Sequence, residues 1–267
     1  MRDAQRADEH ENWRKLISAG ADIAGAATGA GVGQLVGGTM GAAAGGAYGA
    51  TASVMFKDTA LDFAYRLLGR REEERVGAVI RYFWEKYCDN LDAGEHPRQD
   101  GFFDDALDDR AGAKEIFEGV LLAAQREHQE KKLRFFGNLV ANLAFQSEYD
   151  RAHANHLIKV AEDLSFQQLC ILSLAGSENG LRVAPEQEEH EGQRPTRVEK
   201  VGLMAEIHDL SQRQMLTTGV GDSVEFEISM IVSMELSADN AGTSLYRLME
   251  LASVDGQDLA RIIRLLR

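Results

Sequence analysis

Hydrophobic and polar positions divide the chain most sharply near its start. Residues 1–16 mix acids and bases, residues 17–56 are mostly small or apolar with Asp22 as their one formal charge, and Lys57 and Asp58 restore charge at once. Within that span Gly25, Gly29, Gly33, Gly37, Gly41, Gly45 and Gly49 recur at every fourth position, and Ala21 and Ser53 extend the register. A glycine inside a helix costs about 1 kcal/mol relative to alanine. Small residues four apart repay this by letting a second helix approach closely. The pattern therefore reads as a glycine zipper. About 20 residues of helix cover about 30 Å, so 17–36 and 39–56 predict a transmembrane helical hairpin turning at Gly37 and Gly38. Arg14 and Lys15 before it, and Lys57, Arg66, Arg70 and Arg71 after it, place both ends in the cytoplasm. Ile17, Ile23, Val32, Leu35 and Val36 only just offset Asp22 on insertion scales. The competing reading is a close-packed small-residue hairpin that never meets lipid.

Beyond the zipper the spacing is helical. Leu61, Ala64, Tyr65 and Leu68, then Val76, Val79, Ile80, Phe83, Trp84 and Tyr87, recur at three and four residues and predict one long helix or two over 59–91. The charged run from Arg70 to Arg75 between them reads as a solvated stretch with intrahelical ion pairs. Gly94, Pro97 and Gly101 mark a loop, and Asp100, Asp104, Asp105, Asp108 and Asp109 read as surface and helix-start acids. Residues 111–145 predict a helix whose two apolar blocks flank an all-polar run at 125–132. From 164 the order changes to a helix (164–174), a short strand (181–184), a polar loop (185–200) and a helix with Leu203, Ile207, Leu210 and Met215 on one face. Val224, Phe226, Ile228 and Met230 then alternate with polar residues as a strand ending near Leu236, before helices at 242–251 and 256–266. That is the order of a winged-helix-like unit with a small β wing.

The predicted fold is thus mostly α. It comprises a charged leader (1–16), the glycine-zipper membrane segment (17–56), a helical oligomerisation or sensing region (57–163) and a winged-helix-like domain (164–267).

Composition narrows the function. A formal net charge of −14 and a pI near 5.0 argue against general affinity for duplex DNA or anionic lipid. Cys88 and Cys170 stand alone, as suits a reducing compartment, and the start of the chain does not read as a cleaved signal sequence. No GK[ST] or complete GxGxxG accompanies the glycines, and no GxSxG or HExxH is present. His153 and His156 beside Asp150 are too few for a zinc site. An enzyme is not expected, nor a cofactor or metal. Lys131, Lys132 and Arg134 either offset Glu127 and Glu130 or contact an anionic ligand. Arg182, Arg197 and Arg213, with Arg194 and Lys200 nearby, are the corresponding cations of the C-terminal domain.

The run GAATGAGVGQLVGGTMGAAAGGAYG, the helix EKKLRFFGNLVANLAF, and the stretches LSFQQLCILSL and GTSLYRLMEL together resemble membrane-effector subunits of bacterial anti-phage operons, and among them the channel-type effector of Hailong systems. The resemblance implies a nucleotidyltransferase partner whose short DNA oligomers hold a channel closed. It also implies a homo-oligomer at the inner (cytoplasmic) membrane with the bulk of each chain in the cytoplasm. Thr28, Gln34 and Thr39 would then offer polar lining. The expected function is a membrane-disrupting or channel-forming effector of abortive-infection defence, gated by a nucleotide, an oligonucleotide or a partner. The alternative is a soluble winged-helix adaptor or regulator that oligomerises through its zipper.

Overall fold

The computed structural model describes residues 11, 14–24, 46–64, 66, 68–105, 110–177, 181–182, 197–218, 233–235 and 241–266. The chain divides into two compact units, Met1–Asp163 and Leu164–Arg267.

In the first unit, α1 (14–19) and α2 (Ala21–Ala24) are followed by α3 (Gly46–Ala64), α4 (Arg70–Asp92), α5 (Gly112–Arg126), a 3₁₀ turn at Glu130–Lys132, α6 (Leu133–Leu143) and α7 (Arg151–Asp163). The three- and four-residue spacing of Val76, Val79, Ile80, Phe83 and Tyr87 puts them on the buried face of α4. Against that face lies α6, whose Gly137 allows the approach: a methyl group there would stand 2.6 Å from Tyr82 Cβ. Deeper along the pair, Asn90 Nδ2 donates to Asn142 Oδ1 at 2.9 Å. The loop after α4 is held rather than loose. Arg98, its side chain 4% exposed, donates to the Tyr149 carbonyl at 2.8 Å, pairs with Asp100 and lies over the Phe102 ring.

The expected membrane hairpin is corrected by α3. Ala52, Ser53, Met55, Phe56, Thr59, Ala60 and Phe63 recur at helical spacing and are all buried. Phe56 enters an aromatic cluster with Phe83 at 4.6 Å, Phe117 at 5.1 Å, Phe103 at 5.8 Å and Tyr87 at 5.9 Å between ring centroids. The face meant for lipid is thus the face that fills the protein's own core. Among the described residues no helix is long and apolar enough to cross a membrane. The transmembrane, channel and inner-membrane expectations lose the element they rested on. Of the zipper, Gly25, Gly29, Gly33, Gly37, Gly41 and Gly45 lie outside the described residues, as do Thr28, Gln34 and Thr39, while Gly49 falls in α3.

The helix expected over 111–145 is broken at 127–132, where Glu127 adopts an extended backbone and turns its carboxylate inward. The charged run at the start of α4 is a tertiary network as well as an intrahelical one. Arg71 reaches both Glu74 and, at 2.7 Å, Glu130, and Gln125 donates to Glu72 at 3.1 Å.

In the second unit, α8 (Phe166–Ala175) is buried on almost every side. Ser165 caps it, accepting from the Gln168 backbone N–H at 3.1 Å, and Ser173 Oγ donates to the Leu251 carbonyl at 2.7 Å. Around it stand α9 (Arg197–Gln212), α10 (Ala241–Leu248) and α11 (Gly256–Leu266). Leu203, Ile207 and Leu210 of α9 and Ile262 of α11 are buried. Three short segments, β1 (Leu181–Arg182), β2 (Thr217–Thr218) and β3 (Ser233–Glu235), pair antiparallel in the order β1-β3-β2, with Leu181 opposite Met234 and Thr217 opposite Glu235. The winged-helix expectation is corrected here. Of the strand predicted over 224–236 only Ser233–Glu235 is a described strand, and residues 224–232 lie outside the described ones. Segments of two and three residues span only about 7–10 Å. Among the described residues they are too short to make the expected β wing.

Candidate functional site

Of the six cations singled out in the sequence, Lys131, Lys132 and Arg134 fall in the first unit and Arg182, Arg197 and Arg213 in the second. Lys132 is spoken for by the fold. Its Nζ lies 2.5 Å from Glu127 Oε2, with the two side chains 2% and 5% exposed. It also donates to the Glu162 carbonyl at 2.9 Å and sits over the Phe136 ring. A buried ion pair with its remaining protons satisfied has a structural role, because removing either partner strands a charge. Lys131 and Arg134 are exposed on the 3₁₀ turn and on α6. The Arg134 guanidinium lies 5.9 Å from the Phe135 ring centre. Its charge also acts on Tyr82 and Glu85, whose pKa values burial pushes upward and Arg134 partly restores. In the second unit Arg213 pairs with Asp209 at 3.0 Å, Arg182 belongs to β1 and Arg197 opens α9.

The other candidate chemistries are absorbed in the same way. Asp150 accepts the His153 backbone N–H at 2.7 Å as a helix cap, and among the described residues no group of three His, Cys, Asp or Glu could hold a metal ion. Burial, with Asp92 and Asp89 beside it, pushes the Cys88 thiol up to about 11. At neutral pH it is a protonated thiol, not a nucleophile.

The arrangement that stands out was not marked in the sequence. Gly20, between α1 and α2 and one residue out of the zipper register, lies directly on Gly77 of α4. A methyl group on Gly77 would stand 2.8 Å from the Gly20 nitrogen and 3.1 Å from its Cα, and one on Gly20 would collide with the Gly77 carbonyl. Backbone meets backbone, so neither position admits a side chain. Two polar contacts flank this crossing. Arg81 Nη1 donates to the Ile17 carbonyl at 3.3 Å, meeting an acceptor at the end of a helix turn, and Lys15 Nζ pairs with Glu73 at 2.8 Å. Leu16 and Ile17 are buried alongside. The available signal was Gly77, a helix-weakening residue within the strongly helical stretch around VGAVI, with Arg81 one turn on along the same face.

Comparison with protein families, with curated proteins and with solved structures finds no match for this chain.

Proposed function

We propose that the chain is a self-associating, non-enzymatic subunit of a partner-regulated defence module, and that its glycine run at 25–45 is the association element. The observation that carries this is the Gly20–Gly77 crossing. Immediately before the run, a small residue serves close packing of helix on protein, the use to which a glycine every fourth residue is suited. The burial of α3 immediately after the run points the same way. A role in binding is supported by the fate of the polar clusters: Glu127 with Lys132, Arg98 with Asp100, and Glu115 with Arg151 are committed to holding helices together. The resemblance noted above supplies the regulating partner, a nucleotidyltransferase acting through a short oligonucleotide.

The test is light scattering on the full chain across a concentration series. The run as association element predicts a mass that rises with concentration and stays monomeric in Gly33→Leu/Gly37→Leu. Equal masses for the two proteins at every concentration would overturn it.

A further inference from the structure

We infer that the outward face of α9 pairs with the same face of a second copy, antiparallel across a twofold axis between Val201 and Gly202. This contact lies in the second unit, outside the glycine run, and holds whether or not the run associates. Leu203, Ile207 and Leu210 are buried on one side of α9. On the opposite side Val198 and Val201 are 81% and 58% exposed, and Ala205 is exposed between them and His208. Among the described residues Val54 is the one further large apolar side chain so exposed. Gly202 stands within the helix, where glycine is weakening, yet a methyl group there would meet nothing within 4 Å. Gly77 and Gly137, by contrast, are pressed against backbone of their own chain. The missing Cβ of Gly202 thus serves no contact inside the molecule and opens the helix to close approach from outside.

A twofold axis sets residues equidistant from it, on opposite flanks, against each other. With about 3.6 residues per turn, an axis between Val201 and Gly202 puts Val198 on Ala205 of the second copy and Val201 on its Gly202. Each facing pair is large on small. The same register puts Arg197 opposite Glu206, once on each flank, so the charges also match. A parallel pair would set Arg197 on Arg197 and Glu206 on Glu206 and would align the helix dipoles unfavourably. A face that complements itself in both volume and charge fits a second copy, since nothing about a different protein would require that match. One helix face is smaller than the about 800 Å² per partner of a standard interface. The pairing is therefore weak, and covalent trapping detects it where light scattering does not.

The experiment uses the full chain with single added cysteines. Val198→Cys and Ala205→Cys are prepared separately, mixed at high concentration and exposed to oxidised glutathione, which takes up the two protons and two electrons of each thiol pair. The register brings these two positions within the about 3.5–4.5 Å between Cβ atoms that a disulfide needs. Position 198 lies about 10 Å along the axis from its own copy, and so does position 205. Cys170 is buried and Cys88 half-buried, and peptide mass spectrometry distinguishes their products from the 198–205 link. The expected result is at least about tenfold more interchain disulfide at these positions in the mixture than in either variant alone. Gly202→Leu fits the open space on a single molecule but fills the place of the second copy's Val201, and should lower the link by at least about tenfold. Arg197→Glu should lower it too, and adding Glu206→Arg should restore it. Absence of the 198–205 link overturns the pairing, as it would be absent if another part of the chain or a different protein covered this face. Links of 198 to 198 as abundant as the mixed one overturn the antiparallel register, and persistence in Gly202→Leu overturns the close crossing. Repeating the mixture in Gly33→Leu/Gly37→Leu separates the two contacts. The link persists there if α9 pairs by itself, its loss overturns that independence, and light scattering on the same samples reads the run.

Discussion

Lys132 and Glu127 form an ion pair at 2.5 Å in which neither side chain is more than 5% exposed, and the pair sits where a single long helix would otherwise run. Glu127 ends α5, accepts the Gln129 backbone N–H at 2.7 Å, and draws the ammonium of Lys132 in from the following turn. Lys132 then ties this corner to the end of α7 through the Glu162 carbonyl.

Lys132→Met should therefore destabilise the protein by about 3–5 kcal/mol, because it leaves the Glu127 carboxylate buried without its partner. The double variant Lys132→Met/Glu127→Leu should recover most of that loss, since no charge is then stranded. Urea unfolding followed by circular dichroism checks both. A single variant as stable as the parent would show that the charge finds water.

The two faces of α3 predict opposite sensitivities. Phe56→Ala removes the ring at the centre of the aromatic cluster and should cost about 3–5 kcal/mol in detergent-free buffer. Val54, two residues away and 55% exposed, should accept aspartate within about 0.5 kcal/mol. Equal tolerance at the two positions would mean that the cluster does not hold the bundle.

Acid sensitivity follows from carboxylates of two kinds. Hydrogen bonds from Arg110 and Arg66 hold Glu118 below its usual range, and Arg98 does the same for Asp100. A depressed pKa in the folded state contributes stability above the ordinary carboxylate pKa and loses it as pH falls through the folded value. The urea midpoint should therefore decline below about pH 4.5, and Glu118→Gln should flatten that decline. Glu85 behaves in the reverse sense. Burial, and then Asp89 one turn on, raise its pKa, so its charge opposes folding at neutral pH. Glu85→Gln should raise the midpoint at pH 7, and the gain should shrink as pH falls through the raised value.

The helical stripes were legible where a large residue has only one place to go. Val76, Val79, Ile80, Phe83, Trp84 and Tyr87 share the buried side of α4, and Leu203, Ile207 and Leu210 share that of α9. Small residues carry no such information, because a stripe of Gly, Ala and Ser suits lipid-embedded helices and soluble close packing alike. That ambiguity produced the membrane hairpin. Met55, Phe56 and Phe63 at helical spacing are equally the marks of a core helix, and all three are buried. The wing rested on the period-two alternation of Val224, Phe226, Ile228 and Met230, which lie outside the described residues, and the described strands are only two and three residues long. Among the candidate cations, Lys132 could not be told from Lys131 by spacing, because burial of a lysine depends on a partner, and Glu127 becomes one only once the helix breaks.

The most direct measurement is backbone hydrogen exchange over residues 52–63 in buffer without lipid or detergent. If α3 is packed into the protein's own aromatic core, its amides are protected as strongly as those of 76–87 in α4, and Phe56→Ala lowers both together. Rapid exchange over 52–63, with 76–87 still protected, would contradict that packing.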